Sequence, residues 1–499
     1  MNNFHLAVLD IGKTNKKVLI YDQHLKMVDS TYKNFSQIEQ GDFKSDDVEG
    51  IFSWFLSALK DFSKSYSIKG ISISAHGATF VAVDENGQLT IPEICYTTDP
   101  GDDFHREFYQ QFGEADQLQL ETATPNFMAL LNVGKGIYFA KKKYPEQFVK
   151  TRYFLNLPQY FSYKLTGVAT AEPTYVGCHS YLWDFNKNTW SSVAEQLEIK
   201  DKLPEKIINS WDVVGKLLPE VAKTTGLPDD VIVTPGLHDS NASLLPYSIT
   251  MQEPFVLNST GTWCVVMRES ESVQFAPDEL GKVVFYNLNV FHKPVKTAIF
   301  LAGLEFETYT EILKKIDKRD EFPVFNPDLY QQIVDKNTDF ILPGVTKGTG
   351  QFPNSEARVV SGESTYGLTD IQSGKNMPSF FQNYEYAYAV LILSLAMQTK
   401  VALERTGMQP GMPIFTEGGF RRNGCYNKVL TAFYPQSTIA TTGLAEATAF
   451  GAALTALAGI EQKNPADLKH LVNIEKNIVK PIKIKNLQAY TDKFLSLVN

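Results

Sequence analysis

The sequence predicts an α/β protein of two domains that share one topology, and three observations support that prediction. The chain has 499 residues, more than a single domain normally contains. Strand-like and helix-like segments alternate along its first half. Residues 6–22 and 254–269 repeat one plan, in which an apolar run, a polar turn with glycine and a second apolar run follow one another. We place the domains at 1–246 and 247–499, with the join near Pro246.

The opening stretch, LAVLDIGKTNKKVLIYD, predicts a hairpin that could hold phosphate. Leu6–Leu9 and Val18–Tyr21 are short aliphatic runs typical of strands, which leaves residues 10–17 as the tip. Gly12 permits a close backbone approach, and Asp10 at the strand end is placed to hold Mg²⁺ through water. Thr14, Asn15 and the N–H groups of the turn offer donors, and Lys13, Lys16 and Lys17 supply positive charge. An ordinary surface hairpin is the alternative.

Composition excludes several classes of protein. The chain is 43% hydrophobic and 12% aromatic, as in ordinary globular proteins, and its net charge of -9 argues against a nucleic-acid or anionic-membrane partner. No basic leader precedes an apolar core, and no later segment is expected to reach the length of a membrane span, so we expect a cytoplasmic protein. The four cysteines lie far apart, which predicts reduced, buried thiols rather than zinc ligands or disulfides.

The first half also contains a predicted helix over 48–66 and a buried strand over Gly70–Ser74 that leads into His76. Farther along, the strand-like run VIVTPG precedes Asp239. This carboxylate should project from the end of a strand, where open α/β sheets collect their ligands. An Asp followed by Ser is equally typical of a helix N-cap, so a base and a cap both remain open for Asp239.

The second half carries its own signals. A long apolar helix is predicted over Tyr384–Glu404 and another helix from about Asn427. Gly418 and Gly419 follow a short strand, where the backbone can pass close to a phosphate or a flat ligand. The small residues of 445–459 predict a helix that packs closely against a sheet.

Taken together, these motifs resemble the FGGY family of carbohydrate kinases through nearly the whole chain. DIGKTNKK and NSTGTW resemble its two phosphate motifs, EGGFRRN its adenosine motif, SAHGA its substrate-side segment, and TPGLHDSNASLLP the segment that carries the catalytic aspartate. The resemblance implies two ribonuclease H-like (actin-like ATPase) domains with a ligand cleft between them.

The resemblance also implies a role for each motif. Asp239 is the catalytic base, and Asp10 binds Mg²⁺ through water. The sugar is expected to contact His76, Gly77, Tyr96, His238 and Asp239. For the two histidines a satisfied core position is the alternative. ATP is expected to contact Gly12, Lys13, Thr14, Asn15, Lys17, Thr260, Gly261, Thr262, Gly418, Gly419 and Asn423.

Finer details favour the rhamnulokinase and fuculokinase branch, in particular His238 directly before Asp239 and the STGTW segment. We therefore expect ATP-dependent transfer of the γ-phosphate to a hydroxyl of a ketose, most closely a deoxyketohexose such as L-rhamnulose or L-fuculose. CYTTDPGDD, from Cys95, departs from the family pattern and leaves xylulose, ribulose and glycerol as alternatives.

An ATP-driven interaction protein of the actin or Hsp70 type, or a silent sugar-binding regulator, is the alternative outside the enzymes. The GLHD segment favours the enzyme, since it has a purpose where a sugar hydroxyl must be deprotonated. The expected partners are the sugar and ATP, without nucleic acid or membrane. The oligomeric state is left open, with a homodimer as one option.

Overall fold

A computed structural model describes residues 3–319 and 321–498 of the chain. Two seven-stranded sheets form the centres of two domains. The first sheet contains, in spatial order, Gly215–Lys216, Ile232–Val233, Ile68–Ala75, His5–Ile11, Asn15–Asp22 and Met27–Asn34, with Leu237–His238 also paired to Ile68–Ala75. The second contains Val284–Leu288, Pro294–Phe300, Cys264–Glu269, Val256–Thr260, Ile414–Gly418, Ile439–Thr442 and Lys476–Ile478.

The two sheets share one plan, so the predicted repeat is confirmed. His5–Ile11 pairs antiparallel with Asn15–Asp22 and parallel with Ile68–Ala75. In the same way, Val256–Thr260 pairs antiparallel with Cys264–Glu269 and parallel with Ile414–Gly418. A mixed sheet that opens with a hairpin and continues with a parallel strand, present twice, is the predicted ribonuclease H-like arrangement.

The opening hairpin is tighter than the sequence predicted. Its ladder runs from His5 opposite Asp22 to Ile11 opposite Lys16, so the turn contains only residues 12–14. The Gly12 N–H donates to the Asn15 carbonyl at 3.0 Å and closes this turn. Asp10 consequently lies within the strand, opposite Lys17, rather than in the tip.

Helices cover both sheets. In the first half they are Val48–Phe62, Asp102–Phe112, Ala115–Thr122, Val133–Lys143, Pro145–Lys150, Leu157–Thr166, Pro173–Val176, Ser192–Gln196, Pro219–Thr225 and Asp239–Thr250. In the second half they are Ala302–Asp317, Pro327–Lys336, Leu368–Gln372, Tyr384–Arg405, Gly424–Phe433, Ala447–Glu461 and Leu487–Val498. Short strands outside the two main sheets are Ile38–Glu39, Lys44–Ser45, Phe80–Val83, Tyr153–Asn156, Trp183–Asp184, Thr189–Trp190, Asp339–Leu342, Arg358–Ser361 and Ser364–Gly367.

The predicted helices are present with shifted ends. The helix expected over 48–66 ends at Phe62, and the one expected from Asn427 begins at Gly424. Pro246, where the sequence placed the domain join, lies inside the helix Asp239–Thr250.

The expectation that no segment reaches the length of a membrane span was wrong. Tyr384–Arg405 has 22 residues and is long and apolar enough to cross a membrane by length and composition alone. However, 89% of its most apolar window is buried inside the protein, because it is the central helix of the second apolar core. Its apolar composition is therefore explained by packing.

The helix Ala447–Glu461 packs as predicted, although the sheet that it covers belongs to the first domain. Its alanines form one apolar cluster with Leu6 and Val8 of the first strand and with Ala242 of the helix Asp239–Thr250. At Gly451 the two helices approach so closely that a Cβ atom would lie 2.0 Å from the Ala242 carbonyl oxygen. This contact brings the second half of the chain against the start of the helix that carries Asp239.

We expect Gly451→Ala to lower the midpoint of thermal unfolding. The new methyl group meets backbone, which cannot rotate away, so the helices must separate at a cost of about 1–3 kcal/mol. That cost exceeds the gain of about 1 kcal/mol in helix propensity from glycine to alanine. The matched control is Gly367→Ala, where a Cβ meets nothing within 4 Å. Equal melting midpoints for the two variants would contradict the close contact.

Candidate active site

A cavity of about 310 Å³ lies between the two domains and collects many of the predicted residues. Its walls include segments of the first domain, among them residues 76–78, and the turn 260–262 of the second. The predicted residues that line it are Lys13, His76, Gly77, Tyr96, His238, Asp239, Thr260, Gly261 and Thr262. The sugar side and the second phosphate turn thus share one cleft.

Asp239 reaches the cleft because of strand pairing. Leu237–His238 lies beside Ser74 and Ala75 in parallel, so both strands end at the same edge of the sheet. The chain then turns directly into the helix Asp239–Thr250, of which Asp239 is the first residue. The Asp239 Oδ1 accepts from the Ser240 N–H at 2.6 Å and from its hydroxyl at 3.2 Å. The N-cap position is His238, so the capping alternative for Asp239 was wrong. The Asp239 side chain is 30% exposed and lies in the cleft.

The neutral His238 ring lies beside this carboxylate. The Asn241 amide nitrogen lies 3.2 Å from His238 Nδ1, and an amide NH₂ only donates, so Nδ1 accepts. The proton of the neutral ring is then on Nε2, which lies 3.3 Å from Asp239 Oδ1. Burial lowers the pKa of His238, which keeps the ring neutral. This N–H lies close to the Asp239 carboxylate and also 3.6 Å from the Cys178 Sγ.

Asp10 lies next to the same site and crosses the domain boundary. Its Oδ2 accepts from the Thr448 hydroxyl at 3.0 Å, and Thr448 belongs to the helix Ala447–Glu461. Burial raises the pKa of the Asp10 carboxyl to about 6, with Lys17 opposing the rise and Asp239 adding to it. A carboxylate that is costly to ionise, with a second carboxylate nearby, favours a bound cation.

These oxygen donors fit Mg²⁺. The described part of the chain contains no group of three or more His, Cys, Asp or Glu side chains that could hold a metal ion alone. Mg²⁺ is usually bound by one or two carboxylates together with waters and substrate phosphates, so a dedicated protein cage is not required. Asp10 and Asp239 provide such a pair.

The lysines of the first turn are already engaged. Lys13 Nζ lies 3.0 Å from Asp46 Oδ2 and 2.9 Å from Cys95 Sγ, while Lys17 Nζ lies 2.5 Å from Glu446 Oε2. The phosphate contacts predicted for Lys13 and Lys17 would need these pairs to open. Thr14 and Asn15 are exposed, and Gly12 is half-buried.

Lys16, expected to supply positive charge at the tip, is buried and stabilises the turn itself. Its side chain is 1% exposed, and its ammonium donates to the Lys13 carbonyl at 2.9 Å. Burial lowers the pKa of Lys16. This hydrogen bond fixes the backbone of residues 13–16.

The second phosphate turn is supported by glycines. A Cβ atom on Gly418, whose φ is +75°, would lie 2.0 Å from the Thr260 carbonyl oxygen. A Cβ on Gly303 would lie 2.1 Å from the Gly261 carbonyl oxygen. The Thr260 hydroxyl donates to the Glu417 carbonyl and accepts from the Phe420 N–H. Gly418, predicted to contact ATP, therefore packs beneath the turn.

Gly419 and Asn423 line a second cavity, of about 350 Å³, in the second domain. Its aromatic walls were not anticipated and come from Phe306, Phe322, Tyr388 and Phe420. The Phe322 and Tyr388 rings stack at 5.7 Å, and Asn423 Nδ2 donates to the Tyr388 hydroxyl at 3.0 Å. Asn423 Oδ1 also caps the helix Gly424–Phe433. This pocket offers flat apolar faces suited to a base.

On the sugar side, Asp46 joins residues that sequence reasoning treated separately. Its Oδ2 lies 3.0 Å from Lys13 Nζ and 3.8 Å from His76 Nε2. Although burial opposes it, His76 and Lys13 hold the pKa of Asp46 well below its usual range. The Tyr96 ring lies 5.3 Å from His76 and 5.0 Å from the Lys13 ammonium. Asp46 had no role predicted from the sequence.

Further cavity residues were missed, most of them because they lie outside the motifs; Trp263 belongs to NSTGTW and Thr448 to the small-residue segment 445–459. They are Phe127, Leu131, Cys178, His179, Trp263, Val265, Phe285, Asn287, Ile299 and Thr448. Phe127, Phe285 and Ile299 form an apolar cluster that joins the two domains across the cleft. All four cysteines are free and buried, as expected.

Two α/β domains, each opening with a hairpin, enclose a cleft that contains a carboxylate, and this arrangement defines a ribonuclease H-like protein. Residues 5–246 match the N-terminal domain of the FGGY family of carbohydrate kinases, and residues 252–465 match the carbohydrate kinase FGGY C-terminal domain. The chain belongs to the FGGY family of carbohydrate kinases, which confirms the prediction.

Individual relatives agree with this assignment. A rhamnulokinase of Halalkalibacterium halodurans is 26% identical over 53% of this chain and 56% of its own length, and a xylulose kinase of Bacillus subtilis is 26% identical over 56% of each. The match thus spans about half the length of these curated relatives. The crystal structure of a carbohydrate kinase from Novosphingobium aromaticivorans is 25% identical, with a TM-score of 0.79 over 100% of this chain and 99% of that one. The rhamnulokinase similarity supports the predicted branch.

Proposed function

We propose that the protein is an ATP-dependent sugar kinase that transfers the γ-phosphate of ATP to a hydroxyl of a ketose. The observation that carries the proposal is Asp239, a carboxylate that accepts hydrogen bonds from Ser240 and lies 3.3 Å from His238 Nε2, at the edge of a cleft that also contains the turn 260–262. FGGY kinases use ATP as the phosphate donor, typically with Mg²⁺. An ATP-driven switch without a sugar would have no use for this oriented base.

In the proposed reaction the sugar hydroxyl attacks the γ-phosphorus. The new O–P bond forms as the bond between the γ-phosphorus and the leaving oxygen of ADP breaks, and the hydroxyl proton passes to Asp239. The donors that we propose for the charge on the transferred oxygens are the backbone N–H groups of Lys13, Thr14 and Thr262 and the two threonine hydroxyls. The Gly12 and Gly261 N–H groups and the Thr260 hydroxyl already donate within the protein. Mg²⁺, bound near Asp10 and Asp239, supplies neutralising charge for the phosphates.

The apolar cluster of the cleft favours a deoxyketohexose such as L-rhamnulose or L-fuculose. Phe127, Phe285 and Ile299 offer a surface for a terminal methyl group, whereas a hydroxymethyl group would lose hydrogen bonds there. The similarity to a rhamnulokinase also supports this choice. The similarity to a xylulose kinase makes xylulose the second candidate. Xylulose, ribulose and glycerol all lack an apolar end, so only the similarity to the xylulose kinase ranks xylulose above the other two. We place the reaction in the cytoplasm.

The test is a panel of ketoses and polyols with ATP and Mg²⁺, in which ADP release is followed. We expect L-rhamnulose or L-fuculose to give the highest kcat/KM, with xylulose, ribulose and glycerol below them. A preference for xylulose would overturn the proposed substrate but support the proposal that the protein is a sugar kinase. If no sugar raises ADP release above the background without sugar, the kinase proposal fails.

A further inference from the structure

His179 lines the cleft with a positive φ, a backbone conformation that is uncommon for residues other than glycine. Its φ is +35°, and Tyr181, two residues later, has a φ of +62°. Non-glycine residues adopt positive φ uncommonly, and such strain persists only where the surroundings fix it. Here the Asn132 side-chain amide donates to the His179 carbonyl at 3.0 Å, and the Gly134 N–H donates to the Ser180 carbonyl at 2.8 Å. The segment 132–134 thus holds the strained residue in place.

The His179 ring has one determined tautomer. Nδ1 lies 2.7 Å from the Leu131 carbonyl oxygen, which only accepts, so Nδ1 carries the proton. Burial lowers the pKa of His179 to about 4, with the neighbouring His238 adding to the effect, so the ring is neutral at pH 7. Nε2 is therefore a hydrogen-bond acceptor.

The remaining faces of the ring are fixed by aromatic neighbours. Phe127 and Phe285 meet it edge-on at 5.5 and 5.3 Å. A Cβ atom on Gly77 would lie 3.4 Å from His179 Nε2 and 3.0 Å from His238 Nε2, so both nitrogens point over the same glycine. Among the hydrogen bonds of residues 3–319 and 321–498, His179 contributes its Nδ1 and its carbonyl but not its Nε2.

The two nitrogens above Gly77 have opposite polarity. His238 Nε2 carries a proton and faces Asp239, whereas His179 Nε2 offers a lone pair to the cleft. We infer that His179 is a specificity-determining residue whose Nε2 accepts a hydrogen bond from a second sugar hydroxyl, distinct from the one that is phosphorylated. This inference rests on the proposed function. It restricts the substrate to a sugar that carries a free hydroxyl there and an apolar group toward Phe127 and Phe285.

The test compares sugar binding by wild type and His179→Asn. Asparagine tolerates positive φ but is too short to replace Nε2. Calorimetric titration, without phosphoryl transfer, measures the dissociation constant of the best sugar of the panel and of its monodeoxy analogues. We expect His179→Asn to weaken binding of the parent sugar by about 10- to 100-fold. For one analogue, which lacks the hydroxyl that meets His179, the variant and wild type should bind equally. In kinetics, KM should change more than kcat.

Two further variants separate recognition from packing. Phe127→Leu alters the ring that contacts His179 but removes no hydrogen bond, so it should weaken the parent sugar and every analogue alike. His179→Gln restores a side-chain acceptor and should bind the parent sugar more tightly than His179→Asn. If His179→Asn melts at a lower temperature than wild type, the role of His179 is decided by the dissociation constants of His179→Gln for the parent sugar and its analogues.

The outcomes distinguish this inference from the proposed function. An equal loss for every analogue, or no loss for the parent sugar, overturns the role of His179 while leaving the kinase intact. If the wild-type protein binds the sugar but never releases ADP, the kinase proposal fails. The role of His179 in sugar binding is then still decided by the calorimetric titrations. A wild-type protein that binds none of the sugars overturns both.

Discussion

Asp239→Asn is expected to lower kcat by roughly 10² to 10⁴ while ATP still binds. The amide keeps the shape of the side chain, and its oxygen can still accept from the Ser240 N–H. It can no longer take a proton from the sugar hydroxyl, so the attacking oxygen must lose its proton to water. Steady-state kinetics give kcat, and titration with ATP shows that the nucleotide site remains.

A matched control separates the base from its position at the start of a helix. Asp328 lies in the first turn of the helix Pro327–Lys336 and is exposed, so Asp328→Asn makes the same chemical change away from the cleft. Turnover of this control should equal that of wild type. Near-native turnover of Asp239→Asn would exclude Asp239 as the base.

The architecture could be predicted because its signals are local. The hairpin around Gly12 repeats around Gly261, and each glycine N–H closes its turn, on the Asn15 carbonyl at 3.0 Å and on the Trp263 carbonyl at 2.8 Å. The conformation of each turn is therefore determined by a few consecutive residues. The length of the first turn was predicted wrongly because the strand ladder continues through Asp10 and Lys17, which polar composition does not indicate.

Much of the site could not be predicted, because its partners are distant in the chain. Thr448 donates to Asp10 from 438 residues away, and Glu446 meets Lys17 across 429 residues. Their short-range sequence predicts only a helix of small residues. The tautomer of His179 likewise depends on the Leu131 carbonyl, 48 residues earlier. A single sequence gives the type of such residues but not the atoms that they face.

Asp10→Asn is expected to stabilise the ligand-free protein at pH 7.5 and to lower its turnover. The folded protein binds the Asp10 proton more tightly than the unfolded chain, because burial raises the pKa of this carboxyl to about 6. Its ionisation therefore costs stability as the pH rises between about 4 and 6, and the full cost, about 3 kcal/mol, is present at neutral pH. Asparagine removes the charge but keeps the oxygen that Thr448 contacts. It also removes the carboxylate expected to bind Mg²⁺, which is why turnover should fall.

The midpoint of thermal unfolding at two pH values tests the sign. Asp10→Asn should melt above wild type at pH 7.5, and the difference should be smaller at pH 5, where wild-type Asp10 is largely protonated. Asp230→Asn, at an exposed ion pair with Lys69, serves as the control and should melt like wild type at both pH values. Mg²⁺ with ATP should raise the melting midpoint of wild type more than that of Asp10→Asn. A bound cation offsets the cost of burying the Asp10 charge, and the variant has no such charge. A variant that melts below wild type at pH 7.5 would mean that the contacts of ionised Asp10 with Lys17 and Thr448 stabilise the folded protein. The Asp10 charge would then not destabilise the protein in the absence of a metal ion.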